Sequence, residues 1–263
     1  MSKIDRHIPG TPSWGDLMTP DPEGARKFYG GLFGWTFAGG DDASMGFYAQ
    51  CQIDGRNVAG MGKMPEGSPM PSAWSVYFDG VDADALAARI GENGGQVMMG
   101  PMDVMDFGRM LVAADPTGAV FGVWQGKSHT GAQLVDEPGS MCWHEVNTRD
   151  AVKAKDFYGK VFGLETRKLE APGVEYYTLH QGEKTAGGVL QMDAHWPAEL
   201  PPHWMVYFAV ADVEASAARI EALGGKVGVK PFDTPYGRMA VATDPWGAHF
   251  TIMVPSSAAK AMG

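Results

Sequence analysis

The chain has 263 residues, enough for one large domain or two small ones. Its 44% hydrophobic and 20% charged residues are those of a folded protein and exclude wholesale disorder. A net charge of -10 with no basic run argues against a nucleic-acid partner, and the longest apolar run, Trp204 to Ala211, is far below the ~20 residues of a membrane span.

Two cysteines, Cys51 and Cys142, cannot build a disulfide scaffold, and Met1 to Pro12 carries no apolar leader. Both features point to the reducing cytoplasm. Seventeen methionines and eight tryptophans suit either core filling or a pocket for an apolar or aromatic molecule.

Ser13 to Met18 alternates as a strand does. Asp21-Pro22-Glu23 then opens a helix, with Asp at the cap and Pro at the first helical position, and Ala25, Phe28, Tyr29 and Leu32 follow at helical spacing. Phe47 to Ile53 and Val58 to Met64 read as strands split by a turn at Asp54-Gly55. The plan then repeats. Trp74 to Phe78 is a strand, and Asp82 to Asn93 a helix ending at Gly94-Gly95. Met110 to Ala114 and Ala119 to Gln125 are strands joined by Asp115-Pro116-Thr117-Gly118.

The whole plan then recurs about 129 residues later. Trp14 to Asp21 answers Trp143 to Asp150, Trp74 to Phe78 answers Trp204 to Phe208, and Gly108-Arg109-Met110 answers Gly237-Arg238-Met239. The offset drifts only between 128 and 130. The expectation is an α+β protein of four βαβββ modules paired into two duplicated domains, residues 1–126 and 140–263. Residues 127–139, rich in small and polar side chains, form the linker.

These repeats resemble the vicinal oxygen chelate superfamily, which includes glyoxalase I, bleomycin-resistance proteins and extradiol dioxygenases. The resemblance rests on Asp21, Phe28, Tyr29, Phe33 and Gly34, on Asp150, Phe157, Tyr158, Phe162 and Gly163, and on the Asp-Pro-x-Gly turn that closes each half. It covers the chain from about Pro12 to Val254 and implies two glyoxalase-like half-barrel domains. Within the superfamily the sequence resembles two-domain glyoxalase-like proteins that carry a provisional hydroxylase label. Fold does not fix function, so the resemblance leaves the activity open.

The resemblance also implies where a divalent metal would be held: on the first strand of each module, seven residues before the helix Asp, and on the last strand, four residues after the turn Gly. Here those six places carry Trp14, Ser75, Gly122, Trp143, Met205 and Thr251. None is His, Gln, Glu or Asp, so no metal site and no cofactor is expected in either domain.

Strand alternation sets which side chains share a cavity with those positions. In the first half they include Trp14, Asp16, Tyr77 and Trp124, and in the second Trp143, Glu145, Asn147, Met205, Tyr207, Thr251 and His249. Each cavity would be aromatic with one carboxylate. Glu145 is the candidate acid or base, with His249 as its partner; Asp16 lacks such a partner because Val120 stands in that place. Tyr48 and Tyr177 recur as ligand-binding candidates. Arg238, like Arg109, either clamps a ligand or anchors a turn. His144 and Cys142 alternate to the opposite face, and His195 and His203 flank a Pro-rich loop as weak zinc candidates.

Three readings remain open. The first is a metal-free protein that binds an apolar or aromatic small molecule, with antibiotic or metabolite sequestration as its use. The second is a metal-independent isomerase, lyase or hydrolase working through Glu145. The third is a metal enzyme of the glyoxalase or dioxygenase type, which requires a shifted register or an unorthodox site of His144, Glu145 and His249. A homodimer, and exchange of modules between halves or chains, also stay open.

Overall fold

The computed structural model describes residues 4–68, 71–171 and 173–260. In the first half, β1 (Pro12–Thr19), α1 (Pro22–Phe33), β2 (Thr36–Gly39), β3 (Ala49–Ile53) and β4 (Arg56–Lys63) form one module. The second module is β5 (Ala73–Asp79), α2 (Ala83–Glu92), β6 (Gln96–Val104), β7 (Gly108–Ala114) and β8 (Val120–Gly126). The second half repeats them as β9 (Met141–Thr148), α3 (Ala151–Phe162), β10 (Glu165–Ala171), β11 (Val174–Gln181), β12 (Lys184–Gln191), β13 (His203–Ala209), α4 (Val213–Ala222), β14 (Lys226–Thr234), β15 (Gly237–Thr243) and β16 (His249–Pro255). A short α5 (Ser257–Lys260) follows.

Each half is one curved eight-stranded sheet, in the order β2-β3-β4-β1-β5-β8-β7-β6 and its equivalent β10-β11-β12-β9-β13-β16-β15-β14. The first strands of the two modules pair antiparallel at the centre of each sheet, β1 with β5 and β9 with β13. Modules therefore pair within a half. β2 and β6, with their counterparts β10 and β14, complete the modules at the sheet edges; β6 and β14 bury little, so no apolar alternation announces them. Part of the methionine count sits there, with Met98, Met99 and Met102 of β6 all exposed, as is Met105 just after it.

The helix signals act as their chemistry requires. Asp21, Asp82, Asp150 and Asp212 each accept a backbone N–H of the first helical turn at 2.9–3.0 Å. Gly34 and Gly163 end α1 and α3 at φ 72 and 73, where a side chain would be strained.

The convex faces of the two sheets meet through an aromatic core. Phe33 packs on Phe208, Trp74 on Phe208 and Phe78 on Trp204, with centroids 5.0–5.3 Å apart. The helices are shared across this junction. Tyr29 of α1 donates to Asp244 at 3.2 Å and accepts the Trp74 indole N–H at 2.9 Å. Tyr158 of α3 likewise donates to Asp115 at 2.9 Å and accepts from Trp204 at 2.8 Å. Tyrosines, not Arg109 and Arg238, therefore anchor the two Asp-Pro-x-Gly turns. The other oxygen of each Asp accepts N–H groups of its own turn, from Thr117 and Ala119 or from Trp246 and Ala248, at 2.7–3.1 Å. The segment between the sheets is tied down too: Ala132 N–H bonds the Ser13 carbonyl and Gln133 N–H that of Asn57, with Ala132 and Leu134 buried.

Replacing Tyr158 by Phe keeps the ring but strands the Trp204 N–H and an Asp115 oxygen in a dry site. We expect a loss of about 1–3 kcal/mol in denaturant unfolding. An unchanged unfolding midpoint would show that the shared tyrosine does not hold the halves together.

Candidate functional site

The same constellation is built on the concave face of each sheet. In the first half the Trp14 indole donates to the Tyr48 hydroxyl at 3.0 Å, and Tyr48 donates to Asp16 at 3.3 Å. The Tyr77 hydroxyl is turned to the same carboxylate. In the second half Trp143 donates to the Tyr176 hydroxyl at 3.1 Å, Tyr207 donates to Glu145 at 2.9 Å, and Tyr176 faces Glu145 as well. β1 and β9 supply the Trp and the carboxylate two residues apart on one face, and the residue just before β3, with β11, β5 and β13, brings the phenols. Gly60 and Gly188 admit the phenols: a Cβ at either would collide with the hydroxyl of Tyr48 or Tyr176. Burial pushes the Asp16 carboxyl up to about 7 and raises that of Glu145, while the phenol hydrogen bonds work against both shifts.

The two constellations end differently. In the second half the concave face, with Trp143, Glu145, Tyr176, Met205, Tyr207 and Thr251, lies open to a cavity that runs on past it to Ser75 and Val120 of the first half and to His144, about 2090 Å³ over its whole extent. Met205, Tyr207 and Met253 form its apolar wall, against which Cys142, Met239 and Ala259 pack. That cavity does not reach Asp16. Against the first constellation lies His129, its ring edge-on to Trp14 with centroids 4.4 Å apart, and behind it Trp124, whose indole donates to the His129 carbonyl at 2.7 Å. Trp14, Asp16, Tyr48, Tyr77 and Trp124 are thus brought together in the first half, and Trp143, Glu145, Met205 and Tyr207 in the second.

Several expected positions fall elsewhere. Tyr177 lies on the outer face of β11, its ring under the Lys155 ammonium of α3 at 5.4 Å and its hydroxyl on Glu175. The counterpart of Tyr48 is its neighbour Tyr176, because the repeat offset drops to 128 here and a one-residue slip reverses the face. Counting that offset, with Gly188 answering Gly60, recovers it. Arg238 also points away from the cavity. It is held by Glu214 of α4 and by Asp233, as Arg109 is held by Asp84 and Asp103, because Met239 takes the inward place on β15. His249 does not partner Glu145. Met205 pairs with Glu145 while Tyr207 pairs with Thr251, so β13 separates them by two strand spacings, about 10 Å. The partners of Glu145 are phenols.

Three histidines complete the picture. His249 lies exposed on the rim near His203, whose ring sits 2.8 Å from the Pro201 carbonyl and 3.4 Å from the Asn147 amide. His144 is on the opposite face from Glu145, near His7 and Lys184, and burial takes it down to about 3. A register shift between Tyr207 and Phe208 turns Cys142 toward the Met205–Tyr207 cluster rather than to His144's side; burial raises its thiol pKa, so it is no ready nucleophile.

The six positions at which the fold family places metal ligands carry two indoles, two hydroxyls, a thioether and a glycine hydrogen in this structure. Among the described residues no three His, Cys, Asp or Glu side chains cluster as a metal site requires. This donor set does not fit a divalent metal.

Comparison with known proteins agrees with the duplicated fold. The family model of the Glyoxalase/Bleomycin resistance protein/Dioxygenase superfamily matches residues 11–123 and 140–252. The chain is 42% identical over 264 residues to "Putative glyoxylase CFP32" of Mycobacterium tuberculosis, covering 97% of this chain and 99% of that one. It is 39% identical over 263 residues to "Anthracycline biosynthesis protein DnrV" of Streptomyces peucetius, covering 95% of each. In fold it is similar to the 2,3-dioxygenase LapB of Pseudomonas sp. KL28, with TM-score 0.66, 14% identity and coverage of 97% of this chain and 94% of that one. The Mn(II)-bound glyoxalase of Novosphingobium aromaticivorans gives TM-score 0.65, 17% identity and coverage of 94% and 84%. The chain belongs to the glyoxalase/bleomycin-resistance/dioxygenase superfamily as a tandem two-domain member.

The raised Asp16 carboxyl sets a pH dependence. Its native form holds a proton up to about pH 7, whereas the unfolded chain releases it near ~3.9. Between those values the native state binds more protons, so stability falls as pH rises from ~4 to ~7. Asp16→Asn, which cannot ionise, should flatten that fall by up to about 3 kcal/mol in urea unfolding at pH 4.5 and 7.5. An identical slope in the variant would show that Asp16 is ionised throughout.

Proposed function

We propose that this protein binds an apolar or aromatic small molecule in the cavity of its second half, without a divalent metal. The observation that carries the reading is the open cavity walled by Trp143, Tyr176, Tyr207, Met205 and Met253 around one buried carboxyl. Flat rings and thioethers offer a ligand large apolar contact, and the few polar groups fix its orientation. The relative named for anthracycline biosynthesis supports an aromatic ligand, since anthracyclines are fused-ring aromatics. The donor set at the family's ligand positions supports the absence of metal. Protein purified without chelator or affinity tag should carry no stoichiometric transition metal by plasma mass spectrometry, and should quench its own tryptophan fluorescence saturably with 2-naphthol. A full equivalent of metal would overturn the metal-free reading, and no saturable binding the aromatic one.

One observation favours a second reading, a metal-independent isomerase, lyase or hydrolase. Glu145 keeps its proton to a higher pH than an ordinary carboxyl, and its side chain borders the cavity between two phenols. A carboxyl so placed can give or take a proton at a bound molecule. Glu145→Gln keeps the Tyr207 hydrogen bond but cannot transfer a proton. Any turnover found with a cavity ligand should fall by about 100-fold or more in this variant, with the thermal midpoint little changed. Full retained activity would leave Glu145 a structural acceptor.

A further inference from the structure

The first half presents the same Trp, carboxylate and two phenols as the second, yet the space in front of them is taken. Trp124 stands where the second half has Met253, and residues after β8 bring His129 over Trp14. The His129 and Trp124 rings are 5.6 Å apart. His129 meets the Trp14 indole edge-on, at 82°, the arrangement aromatic pairs prefer. Its Nε2 is buried with no hydrogen-bond partner, and burial takes the ring down to about 4, so it sits there as a neutral heteroaromatic. In the second half the corresponding stretch after the last strand is α5, whose small Ala259 packs against Met205, Tyr207 and Met253.

We propose that the first half is a self-occupied copy of the binding site. His129, backed by Trp124, is its built-in ligand: a neutral heteroaromatic ring held against Trp14 where an external ring would meet Trp143. This rests on the reading that the second-half cavity binds aromatic molecules, and adds that the chain has a second, closed site of the same chemistry. It also assigns a pose to the ligand of the open site, with a ring edge-on to Trp143 in front of Glu145.

The mechanism predicts chemical rescue. His129→Ala leaves a vacant slot of imidazole shape, so added imidazole should raise the variant's thermal midpoint by a few degrees and leave that of the wild type unmoved. The larger opening, Trp124→Met with His129→Ala, should bind one more equivalent of 2-naphthol than the wild type in a fluorescence titration. If the wild type binds one equivalent and the opened variant also binds one, the self-occupied site is refuted while the second-half reading stands. If the wild type binds none and the opened variant one, the second-half reading fails and takes the assigned pose with it, while the self-occupied aromatic site of the first half stands. If the double variant does not fold, the single variant decides: a midpoint indifferent to imidazole overturns the proposal.

Discussion

Two hydrogen bonds from buried tyrosines to aspartates of the opposite half organise this molecule. Tyr29 reaches Asp244 and Tyr158 reaches Asp115, and each Asp uses its other oxygen to shape the turn before its last strand. A helix of one half thereby sets the start of the strand that carries cavity side chains in the other. A buried phenol and carboxylate are costly unless they satisfy each other, so the halves must dock in one relative position. The aromatic core around Phe78, Phe208, Trp74 and Trp204 then fills at that position.

Much of this was legible in the sequence because repeats, caps and turns are local signals. The Asp, Phe-Tyr and Gly marks at 21 to 34 and 150 to 163 prove to be cap, interface and helix stop. The concave assignment of Trp14, Asp16, Trp143 and Glu145 followed from alternation alone. What escaped depended on interruptions of regularity. One residue lost between the repeats moved the inward phenol from Tyr177 to Tyr176, and a shift in the β9–β13 ladder turned Cys142 inward. Arg238 and His249 escaped for another reason. Alternation gives a face, but not the partner that claims a side chain or how many strands lie between two residues.

The site also shows how a duplicated architecture becomes asymmetric through few positions. Exchanging Met253 for Trp124, and a small residue for His129, separates an accessible cavity from a packed one. The shared framework of Trp, phenols and carboxylate is unchanged. A carboxyl sealed under aromatic rings carries a stability cost at neutral pH, whereas the same group bordering a cavity is available to a bound molecule.

The reciprocal tyrosine contacts have a historical reading. Tyr29 and Tyr158 occupy equivalent places, as do Asp115 and Asp244, so the contact between the halves is isologous: each side offers the other the same patch. That is the geometry of a two-fold dimer of identical half-length chains. Fusing two such chains keeps the dimer's interface while releasing the two copies from identical sequence. A mutation in a true homodimer alters both cavities at once; in the fused chain it alters one. Tandem duplication therefore lets one cavity be filled for rigidity while the other stays free to change its lining.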